Sequence, residues 1–457
     1  MNITKSEMTG SGTSAPWTGR AATAQNDLLH HAIVKHHDQL MHWYQSQRNA
    51  SVLPFYSSFD IRDSGFKVAN VDGNIYPAGF NNICPTDRES APEAVRYYLD
   101  RHYRSRDGGP VKRLLLITEE HTNNPYYWEN VYRLVEILKG ADLEVKIGIP
   151  RLQEGVKEMQ SASGFIVPVS RAEFEGGEIR CCGVDSGFFP DLVVSNNDFS
   201  EFYSEWGEAL QMPLNPPREL GWWQRKKSNY FRHYNRLATE FAQIIQVDPW
   251  LLNVETELFE DFDLSDDNSR ESLAQRTQQM LDRLRVKNRE HGVHEDPFLF
   301  VKNNAGTYGL GVMRVSSGEE ILQLNYKTRK KMKAAKGGRE VEEVILQEGI
   351  PSIVRADDVT AEPTIYMVGC QLIGGFLRSH SEKGPTESLN SPGAVYKRLC
   401  VSDLKVSVEG HPLENVYGSV ARLGVLAIGA EAEEMRVEYR GYIRDANGSG
   451  GANGCGR

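Results

Sequence analysis

The sequence is short of what a membrane or nucleic-acid protein needs. No run approaches the roughly 20 apolar residues of a bilayer-spanning helix, and the opening MNITKSEMTGSGTSAPWTG has no apolar leader core. Positive charge is in deficit, with 52 Lys and Arg against 62 Asp and Glu and a formal net charge of -10. Polyanion binding is driven by basic surface, so no nucleic-acid partner is expected. Cysteine is scarce: six in 457 residues, none in a C-x-x-C pair, which argues against a disulfide framework or a zinc knuckle. His30, His31, His36, His37 and His42 crowd a helical stretch over residues 26–47, but none are paired at i, i+4 as in a helical zinc site. A solvated face is the expectation there. With no leader and no span, the cytoplasm is the simplest compartment.

What is present is the composition of an ordinary globular protein, 40% hydrophobic and 25% charged. The length calls for roughly two or three subdomains. Residues 1–24 are rich in Gly, Ser, Ala and Thr and are expected to be disordered, as is a flexible tail over 437–457. Residues 25–199 alternate strand and helix. RLLLIT (113–118) is a buried-type strand, Asn124-Pro125 opens a helix towards Gly140, and LEVKIGI (143–149) and DLVVS (191–195) are further strands. That order predicts an open α/β sheet whose ligand loops leave the carboxyl ends of its strands. EEHTNN (119–124) is such a loop, offering Glu119, Glu120 and His121 to a polar ligand. Residues 200–296 are richer in helix formers, and 297–436 return to strands and glycine turns before a last helix.

The chemistry-bearing stretch is FLFVKNNAGTYGLGVMRV (298–315). An apolar strand delivers Lys302; Gly306, Gly309 and Gly311 follow before another strand. Glycines let backbone amides approach phosphate oxygens, and a lysine supplies mobile positive charge. The P-loop G-K-[ST] is missing, and strand rather than helix follows the glycines, so no Rossmann fingerprint is present. VILQEGI (344–350) is a strand ending in Gln347, Glu348 and Ile350. Two strands around Val368-Gly369 come next, with Arg378 near the end of the second and Asn390 in a Pro-Gly loop. Nearer the start, Asp60, Arg62 and Lys67 surround Gly65. Mixed charges suit an amino acid and Arg can grip a carboxylate bidentately, although a salt-bridged surface turn reads equally well. VDGNIYPAGFNNIC (71–84), which holds Asn81, has too much Gly, Asn and Pro for a plain strand and favours a shaped binding loop.

Lysine with glycine loop, strand ending Q-E-G, hairpin ending in Arg, then an Asn loop: this order resembles the ATP-grasp superfamily. The resemblance implies an α/β fold of α+β lobes, with an N-terminal open α/β substrate domain, a helical middle segment and an ATP-binding lobe over 297–436. It also implies that Lys302 and Lys227 (in RKKSNYF) contact the nucleotide, that 347–350 is the adenine hinge, and that Arg378 meets the phosphoryl group. YSSFDIRDSGFKVANVDGNIYPAGFNNIC, EEHTNNPYYWEN and FVKNNAGTYGLGV together resemble the proteobacterial glutamate–cysteine ligase family first associated with acidithiobacilli. This implies ATP and Mg2+ as cofactors, and L-glutamate and L-cysteine as small-molecule substrates. Oligomeric state is left open. One departure stands out: no E-x-N strand follows Asn390, so Glu362 and Asn390 are the candidate metal ligands, though Glu362 reads equally as a strand-entry residue and Asn390 as a turn cap. A glutathione-synthetase-like ligase and a non-catalytic nucleotide-binding protein are the alternatives.

Overall fold

The computed structural model describes residues 24–120, 123–153, 155–181, 187–201, 203–204, 210–305, 311–333, 341–408 and 411–444. The functional centre starts with a hairpin, β1 (Tyr56–Asp63) and β2 (Val68–Asn74), turned at Gly65, whose φ of 82° suits glycine. The alternation in SSFDIRD decides which side chain goes where. Phe59 and Ile61 are fully buried in the core, whereas Asp60 and Arg62 point to the other face and line a cavity.

A second sheet is built from β3 (Arg113–Ile117), β4 (Glu144–Pro150), β5 (Val156–Gln160), β6 (Ile166–Glu175), β7 (Glu178–Cys181), β8 (Leu192–Ser195) and β9 (Leu214–Asn215). Its order is β5-β6-β4-β3-β8-β9, with β7 on β6, and β3 runs parallel to both β4 and β8. The helix Pro125–Gly140 connects β3 to β4. Asn124 caps it by accepting the Tyr126 N–H, and Pro125 fills the first position. The loops after β3 and β8 leave the carboxyl edge of this sheet side by side, tied by the Asn197 Nδ2 bond to the Thr118 carbonyl. That is where ligands dock on open α/β sheets.

The third sheet, β10 (Thr256–Phe259), β11 (Leu299–Asn303), β12 (Val312–Val315) and β13 (Val344–Glu348), has the order β10-β13-β11-β12. With the helix Asp267–Glu290 it encloses its own apolar core of Leu273, Leu281, Leu299, Val301, Val344 and Leu346. Lys302 thus leaves a lobe that begins well before residue 297. The strands β14 (Arg355–Ala356), β15 (Val359–Val368), β16 (Gln371–Ser379) and β17 (Val395–Leu399) then return to the first hairpin. The resulting order is β17-β16-β15-β1-β2, so the sheet joins both ends of the chain and crosses the boundaries expected at 199 and 297.

The expected solvated face holds for His31 and His42, which are exposed, and fails for His30 and His36. The stretch forms two helices, Ala24–Lys35 and His37–Ala50. His36 between them is buried, and His30 Nε2 accepts the Val416 N–H that opens the last helix. His30 turns inward because an amide at a helix start needs an acceptor, while His36 Nδ1 meets Gln39 Oε1 within its own helix pair. Among the described residues no helix is long and apolar enough to cross a membrane.

The last helix, Val416–Glu434, packs on the central sheet and against the helix Lys227–Ile244. A buried ion pair ties the last helix to the segment just before Lys227: Arg225 Nε lies 2.9 Å from Glu431 Oε2, with the side chains 1% and 0% exposed. Burial pushes the Glu431 carboxyl up, and Arg225 only partly offsets it. Removing the guanidinium alone strands a buried carboxylate. Arg225→Met should lower unfolding free energy in urea by about 3–5 kcal/mol, and adding Glu431→Leu should recover much of that loss.

Candidate functional site

Two cavities meet at the central sheet. The smaller is lined by Val71, Lys227, Phe300, Lys302, Val312 and Ile350, among others. The larger, about 740 Å³, lies between the central sheet and the carboxyl edge of the parallel sheet. Asp60, Asp72 and Asn390 line both. Asp60 and Asp72 are direct cross-strand neighbours on β1 and β2. Like charges at such positions repel, so this pair needs cations around it.

Those cations come from three elements. Lys227 Nζ donates to Asp72 Oδ1 at 2.5 Å and sits 4.8 Å above the Trp222 ring. Lys302 Nζ donates to Gln347 Oε1 and to the Val71 carbonyl at 2.5 and 3.1 Å. Burial pulls the Lys302 ammonium down to about 8, against the pull of Asp72. Burial would raise Asp72, but Lys227 and Lys302 outweigh it and hold the carboxyl below its usual range. Asn304 fixes the two lysines relative to each other. Its carbonyl accepts the Lys227 N–H, its side-chain oxygen accepts the Ser228 N–H, and its Nδ2 donates to Glu343.

On the other side of Asp60 lies a buried quartet. Arg378 donates through one nitrogen to Asp60 at 2.7 Å and to Glu362 at 2.8 Å, while Arg62 Nε meets Glu362 at 2.6 Å. Glu362 and Arg378 are cross-strand partners on β15 and β16. Burial works against the Glu362 anion, yet two guanidiniums hold its carboxyl low. Asp60 goes the other way: burial raises it, Glu362 and Asp72 add to the rise, and Arg378 opposes. Asp60 is therefore the carboxyl of this group on which a proton is most easily kept.

The larger cavity has an amide-rich wall. Asn130 Oδ1 accepts the N–H groups of Gly79 and Phe80, and Gly79 has a φ of 108°. Asn196 Nδ2 holds the Pro77 carbonyl and Tyr366 Oη the Ala78 carbonyl. The loop over 77–80 is thus latched from three elements, with Asn130 Nδ2 left buried and unbonded at the cavity. An unbonded buried donor costs about 1–3 kcal/mol, which a ligand acceptor would relieve.

The expected site residues fall into four groups. Lys227, Lys302, Glu348, Ile350, Glu362 and Asn390 line the smaller cavity, and Asn81, Glu119 and Arg378 the larger. Arg62 reaches the smaller cavity, but its terminal nitrogens are engaged by the carbonyls of Pro385 and Glu387, so it braces that loop. Lys67 lies outside both linings: it is 1% exposed, grips both Glu348 oxygens at 2.6 and 2.8 Å and packs 4.9 Å over Trp250. Gln347 is fully buried and acts through Lys302, and Glu120 is a neighbour of Arg151 rather than a lining residue. His121, Gly306 and Gly309 lie outside the described residues, and Gly311 has a φ of 65°. Sequence reasoning missed Asp72, Asn304 and Asn130. All three stand inside motifs already singled out, VDGN, FVKNNAG and PYYWEN, so only the assignment of individual side chains was lacking.

The chain is similar to known proteins over nearly its whole length. A family model described as GshA, glutamate–cysteine ligase, matches residues 30–432. A crystal structure at 1.90 Å from Methylobacillus flagellatus KT, provisionally designated a gamma-glutamylcysteine synthetase, is 34% identical. It covers 93% of this chain and 100% of its own, with a TM-score of 0.79. A D-alanyl-alanine synthetase A from Vibrio cholerae O1 biovar eltor matches at 14% identity over 71% of this chain and 81% of its own; its TM-score of 0.30 carries no argument. No curated protein matches significantly. On the strength of the family match and of a solved relative that spans nearly the whole chain, this protein belongs to the GshA family of glutamate–cysteine ligases, which are carboxylate–amine ligases.

Proposed function

We propose that the protein joins the γ-carboxylate of L-glutamate to the amine of L-cysteine, with ATP converted to ADP and phosphate through a γ-glutamyl phosphate. The observation that carries this reading is the junction: a cavity with two lysines and a cavity with an amide-rich wall share Asp60, Asp72 and Asn390. A phosphoryl group presented from one side would reach a carboxylate held on the other.

The smaller cavity suits a nucleotide. Val71, Phe300, Val312 and Ile350 offer apolar surface for a base, and Lys227 and Lys302 offer charge for phosphates. Arg378 keeps its Nε buried and unbonded beside the larger cavity, positioned to favour negative charge developing on the acyl oxygen. Asn130 Nδ2 would orient a substrate carboxylate. Asp60, with its raised tendency to hold a proton, is the group nearest the junction to accept one from the attacking amine. No protein nucleophile is required, because positioning and cations carry most of such a transfer. The oxygen donors at the junction fit Mg2+, and Asp72 and Asn390 would hold it, which leaves Asp60 to take the proton; Glu362 is already matched by Arg62 and Arg378. Mg2+ would neutralise charge on the phosphates there. The cytoplasm is the compartment that supplies these substrates.

Purified protein given ATP and Mg2+ should release phosphate with L-glutamate and faster when L-cysteine is added, with γ-glutamylcysteine seen by mass spectrometry. Better turnover with γ-glutamylcysteine plus glycine would overturn this reading in favour of a glutathione-synthetase-like ligase. The state of Lys302 gives a second test. Its ammonium is fully protonated well below pH 8 and is lost as pH rises through about 8 in the free protein. Bound phosphate would draw the proton back, so ATP binding should take up protons, and the KM for ATP should climb as pH passes 8. Lys302→Ala should raise that KM at least about tenfold, roughly the 1.4 kcal/mol of one weak charged contact, and abolish the pH dependence. A KM for ATP that stays flat from pH 7 to pH 9 in the unmodified protein would argue against the lysine.

A further inference from the structure

One cluster of reactive side chains plays no part in this chemistry. Cys84 caps the start of the helix Pro85–His102, just after the turn Phe80–Asn82. Cys400 follows β17. Their sulfur atoms are 2.8 Å apart, with Cys400 Sγ pointing its hydrogen at Cys84 Sγ, although the two residues are 316 positions apart in the sequence. Both are buried free thiols, but the exposed Arg398 donates its Nε to Cys400 Sγ at 2.6 Å, so the pair lies directly beneath the surface. Asp87 braces the same spot by accepting the Val401 N–H at 2.8 Å. Gly374 lets β16 pass close beneath the helix start, where a Cβ would run into Ile83.

Asp87 and the two cysteines could be read as three ligands for a metal ion. The spacing opposes it. Two thiolates on one tetrahedral zinc, each about 2.3 Å from the ion, stand roughly 3.8 Å apart. Asp87 is also committed to a backbone amide, and Arg398 already supplies positive charge.

We propose that Cys84 and Cys400 form a reversible intramolecular disulfide that pins two walls of the larger cavity together. Asn81 and Asn82, just before Cys84, line one side of that cavity, and Val395 and Tyr396, just before Cys400, line another. The bond requires the sulfurs to close to about 2.05 Å, a small movement from contact, so the walls are locked near their present positions. The division of labour between the thiols follows from their surroundings. Burial acts against a Cys84 thiolate, but the Cys400 thiol and the Asp87 and Thr86 amides at the helix start outweigh it and lower Cys84. Cys400 is pushed up to about 12, by burial first and then by Cys84. Cys84 is therefore the attacking sulfur and Cys400 the resolving one. With hydrogen peroxide as oxidant, the Cys84 thiolate forms an S–O bond as the O–O bond breaks, and the leaving hydroxide takes a proton to become water. Cys400 then attacks the sulfenic sulfur, forming S–S and breaking S–O, and its proton leaves with the second water. Two thiols and one peroxide give one disulfide and two waters; a dithiol reductant reverses the change.

The test uses the full chain, reduced and then treated with a small excess of hydrogen peroxide. Intact mass should fall by two hydrogens, and peptide mapping should join Cys84 to Cys400. The oxidised protein should melt several degrees above the reduced one, since the bond closes a very long loop. Dithiothreitol should reverse the shift, Cys84→Ser and Cys400→Ser should each abolish it, and Cys370→Ser should keep it. A bond between other cysteines, sulfinic acid at Cys84 without cross-link, or zinc retained by the purified protein would overturn the proposal.

Discussion

Everything at the site depends on placing carboxylates in a buried sheet without letting them repel it apart. Asp60 and Asp72 face each other across β1 and β2, and Glu362 lies one strand further on. An isolated buried carboxylate costs several kcal/mol, so each is matched: Asp72 by Lys227, Asp60 by Arg378, and Glu362 by Arg378 and Arg62. The partners come from the hairpin, the helix after residue 226, and the strands that return from the far end of the chain. The charges thus tie together elements from distant parts of the chain.

This arrangement has a functional consequence. The matching is complete at Glu362 but uneven at Asp60, where Glu362 and Asp72 both disfavour the anion. Asp60 and Asp72 are also the carboxylates that both cavities touch. The protein keeps its fully neutralised group to one side and leaves its electrostatically unsettled one at the junction. Asn304 serves the same end by locking the start of the helix Lys227–Ile244 to the end of β11, so that the two lysines enter the smaller cavity from different elements with a fixed separation.

Much of this was legible in the sequence, where pattern alone decides the outcome. The apolar strand from Phe298 to Val301 that delivers Lys302, the hairpin around Gly369, and the Asn124-Pro125 helix start follow from periodicity and capping chemistry. What could not be read was which charges pair across the fold. Lys67 and Arg62 stand beside Asp60 in a segment that looks like an amino-acid grip. The structure turns Lys67 back onto Glu348 and spends Arg62 on Glu362 and two loop carbonyls. Long cationic side chains choose partners by tertiary position, and local sequence does not encode those partners. The pairing of β1 with β15 was invisible for the same reason, since nothing in YSSFDIRD or EPTIYMV names the other.

The central claim is that phosphoryl transfer occurs where the two cavities share Asp60, Asp72 and Asn390. The most direct measurement follows oxygen. With the γ-carboxylate of L-glutamate labelled with oxygen-18 and L-cysteine present, the account predicts ADP as the nucleotide product and one labelled oxygen in each phosphate released. AMP and pyrophosphate, with the label in AMP, would mean adenylation instead and would contradict the placing of a phosphoryl group at that junction.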